Sequence, residues 1–433
     1  MNKEERKQKI QSITDGRVYV QEQGTGKRLL YRGQTQEFRI VNIPMEYLVL
    51  NVENGRIASL VKSFEKERGP LNPENQTDAE ILAGFLYEAH DKQNDRTRAD
   101  IAKNGQLEAG IITSDGIIVD GNRRFSLMWA IAHDPKSTPD EKARCSMFRT
   151  VVLPEDADEK EILRLETSFQ MGADEKVGYN AIEKYLHARD MKEQGFSVKD
   201  IAEYMGYSKT SEVDMLLEVM ELIDEYLDWC DCSGIYTRLP RGFEDDLQKL
   251  NTACKKIRNG SIGWIQEGKQ LEVENDLKSL SYDYIRLNMK SDDGFDFRAI
   301  GSTSSGNFLA DENIWKQIVV DWQGVVDNVE EDSIDEVLNR SKGLNDTKRL
   351  LDNRDIKWRE KVKEGLKDAF QNAMNIVENK KEKDKPGQLI KRAANTLQEV
   401  DTTALKSLTK LDDIRRQIAA IQSKAAEIAS IIN

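Results

Sequence analysis

Residues 110–133 read GIITSDGIIVDGNRRFSLMWAIAH, and this stretch decides how the first part of the chain folds. Its two short apolar runs, 111–112 and 117–119, are separated by Asp115-Gly116, a strong signal for a β-hairpin turn. After the second run, apolar residues follow the spacing of a helix that is buried on one side. The sequence therefore predicts a hairpin that leads directly into a helix.

The junction between the second strand and the helix reads DGNRR. The first backbone N–H groups of a helix lack partners within the helix and carry partial positive charge. Gly121 permits a positive φ or the close approach of a ligand, and Arg123 and Arg124 add two guanidinium groups. Two interpretations are open here: a phosphate-binding site, and an ordinary turn with two surface arginines.

The order of elements around this junction resembles the ParB/sulfiredoxin superfamily. A polar Gln106, a short apolar strand and a second strand precede DGNRR, which opens a helix. Members of the superfamily carry related boxes at this point, such as GERR in ParB proteins and GCHR in sulfiredoxins. The resemblance implies that the box binds nucleotide phosphates through Gly121, Asn122, Arg123 and Arg124.

Two further segments resemble boxes of ParB proteins. Asn54-Gly55-Arg56 lies where an Asn/Pro-Arg box is expected, which makes Arg56 a candidate nucleotide contact, although this tripeptide is also a common turn. Residues 165–170 read LETSFQ and resemble the ENxQR-type box. The family then implies that Glu166 holds a Mg²⁺ ion beside the phosphates and that Gln170 contributes to nucleotide binding. Met171 stands where that box has an arginine.

Residues 196–223 read FSVKDIAEYMGYSKTSEVDMLLEVMELI and predict two helices around a turn at Gly206. ParB proteins have a DNA-binding helix-turn-helix at this point of the chain. Here the second helix has Lys209 as its only basic residue, against four acidic residues. DNA phosphates repel such a surface, so a structural helical hairpin competes with a DNA-reading role.

The last third of the chain predicts long helices. Residues 356–383 form one amphipathic segment, which we expect to break at Lys385-Pro386-Gly387. Beyond the break, apolar residues follow alternating three- and four-residue steps, which is a heptad pattern with Ser407 as its weak position. The stripe fits either an intrachain hairpin against 356–383 or a homodimer. It consists of Leu397, Val400, Ala404, Leu411, Ile414, Ile418, Ile421, Ala425, Ile428 and Ile432.

Composition limits the class of protein. The chain has 433 residues, of which 38% are hydrophobic and 33% charged, so it is too long for one ordinary core and too apolar for disorder. No apolar run approaches the roughly 20 residues of a membrane span, and the four cysteines have no disulfide-scaffold spacing. We therefore expect a cytoplasmic protein without a membrane partner. The net charge of −13 argues against general attraction to nucleic acid but allows a local basic face.

These features predict an α+β architecture followed by mainly helical domains. We expect a ParB/sulfiredoxin-like domain over residues 1–158 and a helical domain with a helix-turn-helix-like segment over 159–228. A helical middle region whose role the sequence does not indicate covers 229–350. Long C-terminal helices with a candidate coiled coil cover 351–433.

For function, the resemblance implies a nucleotide-dependent switch. CTP or ATP with Mg²⁺ would bind at the DGNRR box and at Glu166, and would control association with DNA, a protein partner or a second subunit. A ParB-like nuclease or phosphotransferase is the first alternative, with Asp120 and Glu166 as the catalytic acids. The second is a DNA- or protein-binding adaptor of a plasmid, phage or anti-phage system, without nucleotide chemistry.

Overall fold

A computed structural model describes residues 1–16, 26–88, 91–172, 181–288, 295–301, 307–401 and 411–432. This described part is α+β and mostly helical, as the sequence predicts. The chain divides into two compact units, Met1–Gln371 and Asn372–Asn433. Our finer division into four parts stays a prediction.

A four-stranded sheet forms the centre of the N-terminal region. Its strands are β3 (Ile40–Pro44), β4 (Gly110–Ile112), β5 (Ile118–Asp120) and β6 (Met147–Val152), in the order β3-β6-β4-β5. Strands β4 and β5 are antiparallel, which confirms the predicted hairpin, and β4 runs parallel to β6. A separate antiparallel hairpin consists of β1 (Lys27–Tyr31) and β2 (Gln34–Phe38).

The described residues of this region form six α-helices, and the helix predicted after the hairpin is the fifth of them. The helices are α1 (Lys3–Thr14), α2 (Ala58–Arg68), α3 (Gln76–Glu88), α4 (Asp91–Asn104), α5 (Asn122–His133) and α6 (Pro139–Arg144). Ile112 and Ile118 share one core with apolar residues of α1 to α5. Ile111 and Val119 point to the other face of the sheet and pack with the β1 strand. Both faces are therefore covered, which explains the unbroken apolar runs of the hairpin.

The next four α-helices in the described part of the chain come directly after β6. They are α7 (Glu159–Gly172), α8 (Ala181–Glu193), α9 (Val198–Tyr204) and α10 (Thr210–Trp229). The turn between α9 and α10 contains Gly206 at a φ of +77°, and the N–H of Tyr207 donates to the carbonyl of Ala202 at 2.8 Å. This confirms the predicted pair of helices and the role of Gly206 in their turn.

Where the structure describes the middle region, it has five α-helices, α11 (Phe243–Arg258), α12 (Gln270–Leu287), α13 (Arg298–Gly301), α14 (Glu312–Val326) and α15 (Ile334–Arg340). Buried ion pairs join it to the helix that follows. Asp355 of that helix accepts hydrogen bonds from Arg238 and from Arg286, the latter at 3.0 Å. The hydroxyl of Tyr284 also donates to the carbonyl of Leu366 at 2.7 Å. These contacts place residues up to Leu366 in one core with the middle region.

The C-terminal helices are α16 (Leu344–Gln398) and α17 (Asp412–Ile432). Helix α16 continues through Pro386, so the predicted break at residues 385–387 is wrong. Proline removes one hydrogen bond and its ring crowds the carbonyl four residues earlier, but its φ suits a helix. A long helix can therefore continue past it with a local kink. Ala404 and Ser407 of the heptad stripe lie outside the described residues. Across the described ranges, no helix combines the length and the apolar character needed to cross a membrane.

Candidate functional site

The junction between β5 and α5 has the conformation that the DGNRR sequence predicts. Gly121 precedes the first turn of α5 with a φ of +104° and, having no side chain, leaves the first N–H groups of the helix without a side-chain cap. A Cβ at Gly121 would lie 2.9 Å from Cζ of Phe148, and a Cβ at Gly110 would lie 2.7 Å from the carbonyl oxygen of Asp120. Glycine is thus required here both by backbone conformation and by close packing.

Asp120 lies between two cations at this junction. Its Oδ2 is 3.7 Å from Nζ of Lys27 and 3.9 Å from a terminal nitrogen of Arg124. Lys27 also donates to the carbonyl of Ala109 at 2.7 Å and lies over the ring of Phe169. Burial lowers the pKa of the Lys27 ammonium. Glu108 adds a second carboxylate, since its Oε2 lies 3.7 Å from a terminal nitrogen of Arg124. The cluster therefore places two cations next to the start of α5, and two carboxylates balance their charge.

The two arginines of the box point in different directions. Arg124 lies with Lys27, as described above, and also donates to the carbonyl of Glu108. Arg123 instead donates through Nε to Oδ1 of Asn94 on α4 at 2.5 Å. Asn94 is fully buried, so this contact holds α5 against α4. An anion at the start of α5 would therefore meet Arg124 and Lys27 more directly than the Arg123 side chain.

Asn122 has its side chain turned inward. Its Oδ1 accepts the backbone N–H of Asn51 at 2.9 Å, and its Nδ2 donates to the carbonyl of Ile118 at 2.8 Å. The side chain is almost completely buried. It therefore fixes the loop before α2 to the β5–α5 junction, and its backbone N–H is the part of Asn122 that a phosphate would use.

Glu166 of α7 binds the same loop. Its Oε1 accepts the backbone N–H of Gly55 at 3.0 Å and its Oε2 accepts Nδ2 of Asn51 at 3.4 Å. The residue is 2% exposed. Asn51 thus connects the box, through Asn122, with the candidate metal ligand. A continuous hydrogen-bonded chain runs from the start of α5 to the carboxylate of α7.

The two remaining candidate contacts to the nucleotide are Arg56 and Gln170. The Arg56 backbone N–H donates to Oδ1 of the buried Asn54 at 2.9 Å, which makes residues 54–56 a turn, and the Arg56 side chain is half-buried. Gln170 lies on α7, but its side chain lies outside the described residues. The loop brings Arg56 to the same region as Glu166, since Gly55 is bonded to that carboxylate.

The donor set around Glu166 suits a metal only together with a ligand. No group of three or more His, Cys, Asp and Glu side chains in the described part of the chain is arranged to hold an ion. Mg²⁺ commonly takes one or two protein carboxylates and completes its shell with phosphate oxygens and water. One carboxylate near a candidate phosphate-binding junction fits that type of site, and a metal site built from protein ligands alone does not fit.

A second buried carboxylate holds the helix that follows the loop. Glu183 of α8 accepts the N–H and the hydroxyl of Ser59, in the first turn of α2. Burial raises the pKa of Glu183 to about 7. One turn further along α8, Nε2 of His187 forms a hydrogen bond with the hydroxyl of Thr167 at 2.6 Å. Burial lowers the pKa of His187 to about 4. Helices α7 and α8 therefore each send one buried glutamate to residues 51–59.

The second helix of the helix-turn-helix-like pair exposes an acidic surface. Glu218 of α10 forms an ion pair with Lys255 of α11 at 2.6 Å, so α10 packs against the middle region. Its outward positions include four acidic residues and Met215. The acidic residues are Asp214, Glu221, Glu225 and Asp228. This surface is unsuited to the phosphate backbone of DNA.

Comparison with other proteins gives no further information about the site. The chain matches no protein-family model, and comparison with curated proteins and with solved structures also gave no match. The sequence pointed to the box and to Glu166 but missed Lys27 and Asn51. No motif marks these two residues, because their partners Asp120 and Asn122 lie far along the chain and only the tertiary fold brings them together.

Proposed function

We propose that the protein is a nucleotide-dependent switch of the ParB/sulfiredoxin type. The phosphates of CTP or ATP bind at the start of α5, against backbone N–H groups of the DGNRR box and the side chains of Arg124 and Lys27. The observation that carries the proposal is the glycine-opened helix start with two cations beside it. Helix N-termini of this kind bind phosphates through N–H groups and the helix dipole.

Glu166 gives the proposal its switching element. In the structure its carboxylate is occupied by Gly55 and Asn51. If Glu166 binds Mg²⁺ with the nucleotide, it must give up at least part of those hydrogen bonds, because a carboxylate oxygen has few acceptor sites. The loop over residues 51–56 would then lose one of its anchors when nucleotide binds.

The loop leads directly into α2, which Glu183 of α8 holds at its first turn. A displaced loop would therefore act on the contact between α2 and α8, and through α8 on the helical region that follows. The hydrogen bonds of Glu166 and Glu183 would thus carry the effect of nucleotide binding to the helical region. The partner controlled in this way is a protein or a second subunit rather than DNA read by α10, since α10 exposes acidic residues.

The nuclease alternative has less support. Asp120 is held between Lys27 and Arg124, and Glu166 is buried against the loop. A nuclease with two metal-binding acids needs both carboxylates free to bind ions beside a basic cleft. The geometry favours nucleotide binding by the same residues over cleavage of a nucleic acid.

Thermal unfolding with each of the four NTPs and Mg²⁺ tests the proposal. A ligand that binds only the folded state raises the melting temperature by mass action. We expect one nucleotide to stabilise the wild type, and we expect no shift in the Arg123→Ala, Arg124→Ala double variant relative to its own ligand-free melting temperature. If millimolar concentrations of all four nucleotides leave the wild-type melting temperature unchanged, the proposal fails.

A further inference from the structure

Lys27, the first residue of β1, has its amine held in one position beside the β5–α5 junction. Its Nζ donates to the carbonyl of Ala109 at 2.7 Å and lies 4.6 Å from the centre of the Phe169 ring. The side chain is 22% exposed. The amine is therefore fixed by its neighbours, and its side chain is still in contact with solvent.

The surroundings of Lys27 favour the neutral amine more than water does. Burial lowers the pKa of Lys27; the carboxylate of Asp120 opposes this effect and the charge of Arg124 adds to it. A neutral lysine amine is a nucleophile, whereas the ammonium ion is not. It also keeps an N–H group for the carbonyl of Ala109. At a given pH, a larger fraction of Lys27 is therefore reactive than of a lysine in water.

The amine lies close to the candidate phosphate site at the start of α5. Nζ of Lys27 and a terminal nitrogen of Arg124 are 3.7 Å and 3.9 Å from the same oxygen, Oδ2 of Asp120. The two nitrogens are therefore no more than 7.6 Å apart, which is the sum of these distances. The helix start beside them has no side-chain cap, so its N–H groups can also receive an anion.

This arrangement fits a molecule that carries a phosphate and an electrophilic carbon side by side. An acyl phosphate is such a molecule, because one oxygen joins its phosphorus to its carbonyl carbon. A phosphate oxygen that bonds Arg124 at about 2.8 Å leaves the carbonyl carbon within the remaining distance to Lys27. Attack requires Nζ and this carbon to approach to about 3–3.5 Å.

We propose that Lys27 is an acylation site for acyl phosphates, whose phosphate group is held by Arg124 and the start of α5. The inference rests on the proposed function for its phosphate site, and it adds a way to regulate that site. Acylation removes the charge of Lys27, which is one of the two cations assigned to the nucleotide phosphates. Nucleotide binding should then weaken about 10-fold or more, because a charge-assisted hydrogen bond is lost.

The reaction needs no group beyond these residues and the acyl phosphate. The lone pair of Nζ attacks the carbonyl carbon and forms an amide C–N bond. The C–O bond to the phosphate breaks, and the phosphate leaves with that electron pair. The proton lost by Nζ passes to Oδ2 of Asp120, 3.7 Å away, and from there to the departing phosphate. The products are the amide of Lys27 and inorganic phosphate.

Acetylation of the full chain by millimolar acetyl phosphate, mapped by peptide mass spectrometry over time, tests the proposal. Lys249 on α11 is the internal reference, because its side chain is 23% exposed and it also pairs with two carboxylates, those of Asp245 and Asp246. We expect Lys27 to be acetylated at least about 10-fold faster than Lys249. Inorganic phosphate should slow acetylation of Lys27 and leave that of Lys249 unchanged.

Two variants show whether the phosphate directs the reaction. Arg124→Ala should reduce the acetylation rate of Lys27 by about 10-fold or more, and Arg124→Lys should restore part of it because it keeps the charge. Circular dichroism and melting temperature check that both variants are folded. The N-hydroxysuccinimide ester of acetic acid has no phosphate, so its rate at Lys27 corrects for any change in the fraction of neutral amine.

The result for Lys27 is separate from the result for nucleotides. Acetylation that is no faster at Lys27 than at Lys249 overturns this proposal, even if a nucleotide raises the melting temperature. A corrected rate at Lys27 that is the same in the wild type and in Arg124→Ala also overturns it. Fast acetylation that depends on Arg124 supports it, and if no NTP binds in that case, only the nucleotide proposal fails.

Discussion

Oε1 of Glu166 accepts the backbone N–H of Gly55 at 3.0 Å, across 111 positions of sequence. This bond ties α7 to the loop before α2, and it uses the carboxylate that the proposed function assigns to Mg²⁺. A structural and a ligand-binding role therefore compete for one side chain. Substitutions that preserve one role and remove the other can separate them.

Glu166→Gln keeps an acceptor for Gly55 and loses only the longer hydrogen bond from Nδ2 of Asn51 at 3.4 Å, so it should cost no more than about 1 kcal/mol in free energy of unfolding. Glu166→Ala leaves a buried N–H without its acceptor and should cost about 1–3 kcal/mol. Urea unfolding of the two variants measures the difference. Equal destabilisation by both would contradict the hydrogen-bonding role assigned to this carboxylate.

Burial of Glu183 predicts a specific dependence of stability on pH. The pKa rises from 4.5 to about 7 in the folded state, so between these values the folded protein binds more protons than the unfolded chain. Stability from this group therefore falls as pH rises from 4.5 to 7, by up to roughly 3 kcal/mol. Glu183→Gln still accepts from Ser59 and should remove this loss.

The contribution of His187 to stability changes with pH in the opposite direction, over an overlapping pH range. Its pKa falls from 6.5 to about 4 on folding, so its contribution to stability is present above 6.5 and is lost as pH falls toward 4. In the wild type the two effects partly cancel. Urea unfolding from pH 4.5 to 7 should show Glu183→Gln gaining stability relative to the wild type as pH rises; parallel curves would refute the assigned pKa shift of Glu183.

Gly110→Ala tests the packing at the junction. The new Cβ would lie 2.7 Å from the carbonyl oxygen of Asp120 and 2.6 Å from the ring of Phe148, so the backbone must shift, at a cost of about 1–3 kcal/mol. Gly84→Ala is the control, because Gly84 lies in α3 with open space around it. That change should stabilise the protein by about 0.5–1 kcal/mol. Melting temperatures that move in the same direction for both variants would contradict the close packing at Gly110.

Asp355 and Asp352 form a matched pair on α16, since both accept from Arg238. Asp355→Ala removes the shared partner of Arg238 and Arg286 in the core and should cost about 3–5 kcal/mol. The Asp352 side chain is half-exposed, so Asp352→Ala should cost less than about 1 kcal/mol. Chemical denaturation measures both, and a smaller cost for Asp355 would show that the buried network does not hold the middle region to α16.

The sequence predicted best those parts of the structure that depend on residues close together in the chain. The Asp115-Gly116 turn, the apolar runs on each side and Gly121 determine the hairpin and the start of α5 locally, and the structure confirms them. Gly206 likewise marks the turn between α9 and α10. These patterns follow from backbone conformation and from the period of side-chain burial.

Contacts between residues that lie far apart in the chain could not be predicted from such local patterns. Lys27 reaches Asp120 only because β1 packs beside the β4–β5 hairpin, and nothing near Asn51 in sequence indicates that it joins Asn122 to Glu166. The break predicted at Pro386 failed for a different reason. Local propensity disfavours proline within a helix, but its cost is limited and neighbouring turns can continue the helix.

Equilibrium binding of the stabilising nucleotide, measured by calorimetry with Mg²⁺, tests the phosphate site most directly. Arg124→Ala and Lys27→Met should each weaken binding about 10-fold or more, because a charge-assisted hydrogen bond is worth about 1.5–3 kcal/mol. The exposed Arg39 on the loop after β2 provides the control, and Arg39→Ala should bind like the wild type. Binding that is the same in all four proteins, or no binding by any NTP, would contradict the assignment of nucleotide phosphates to the start of α5.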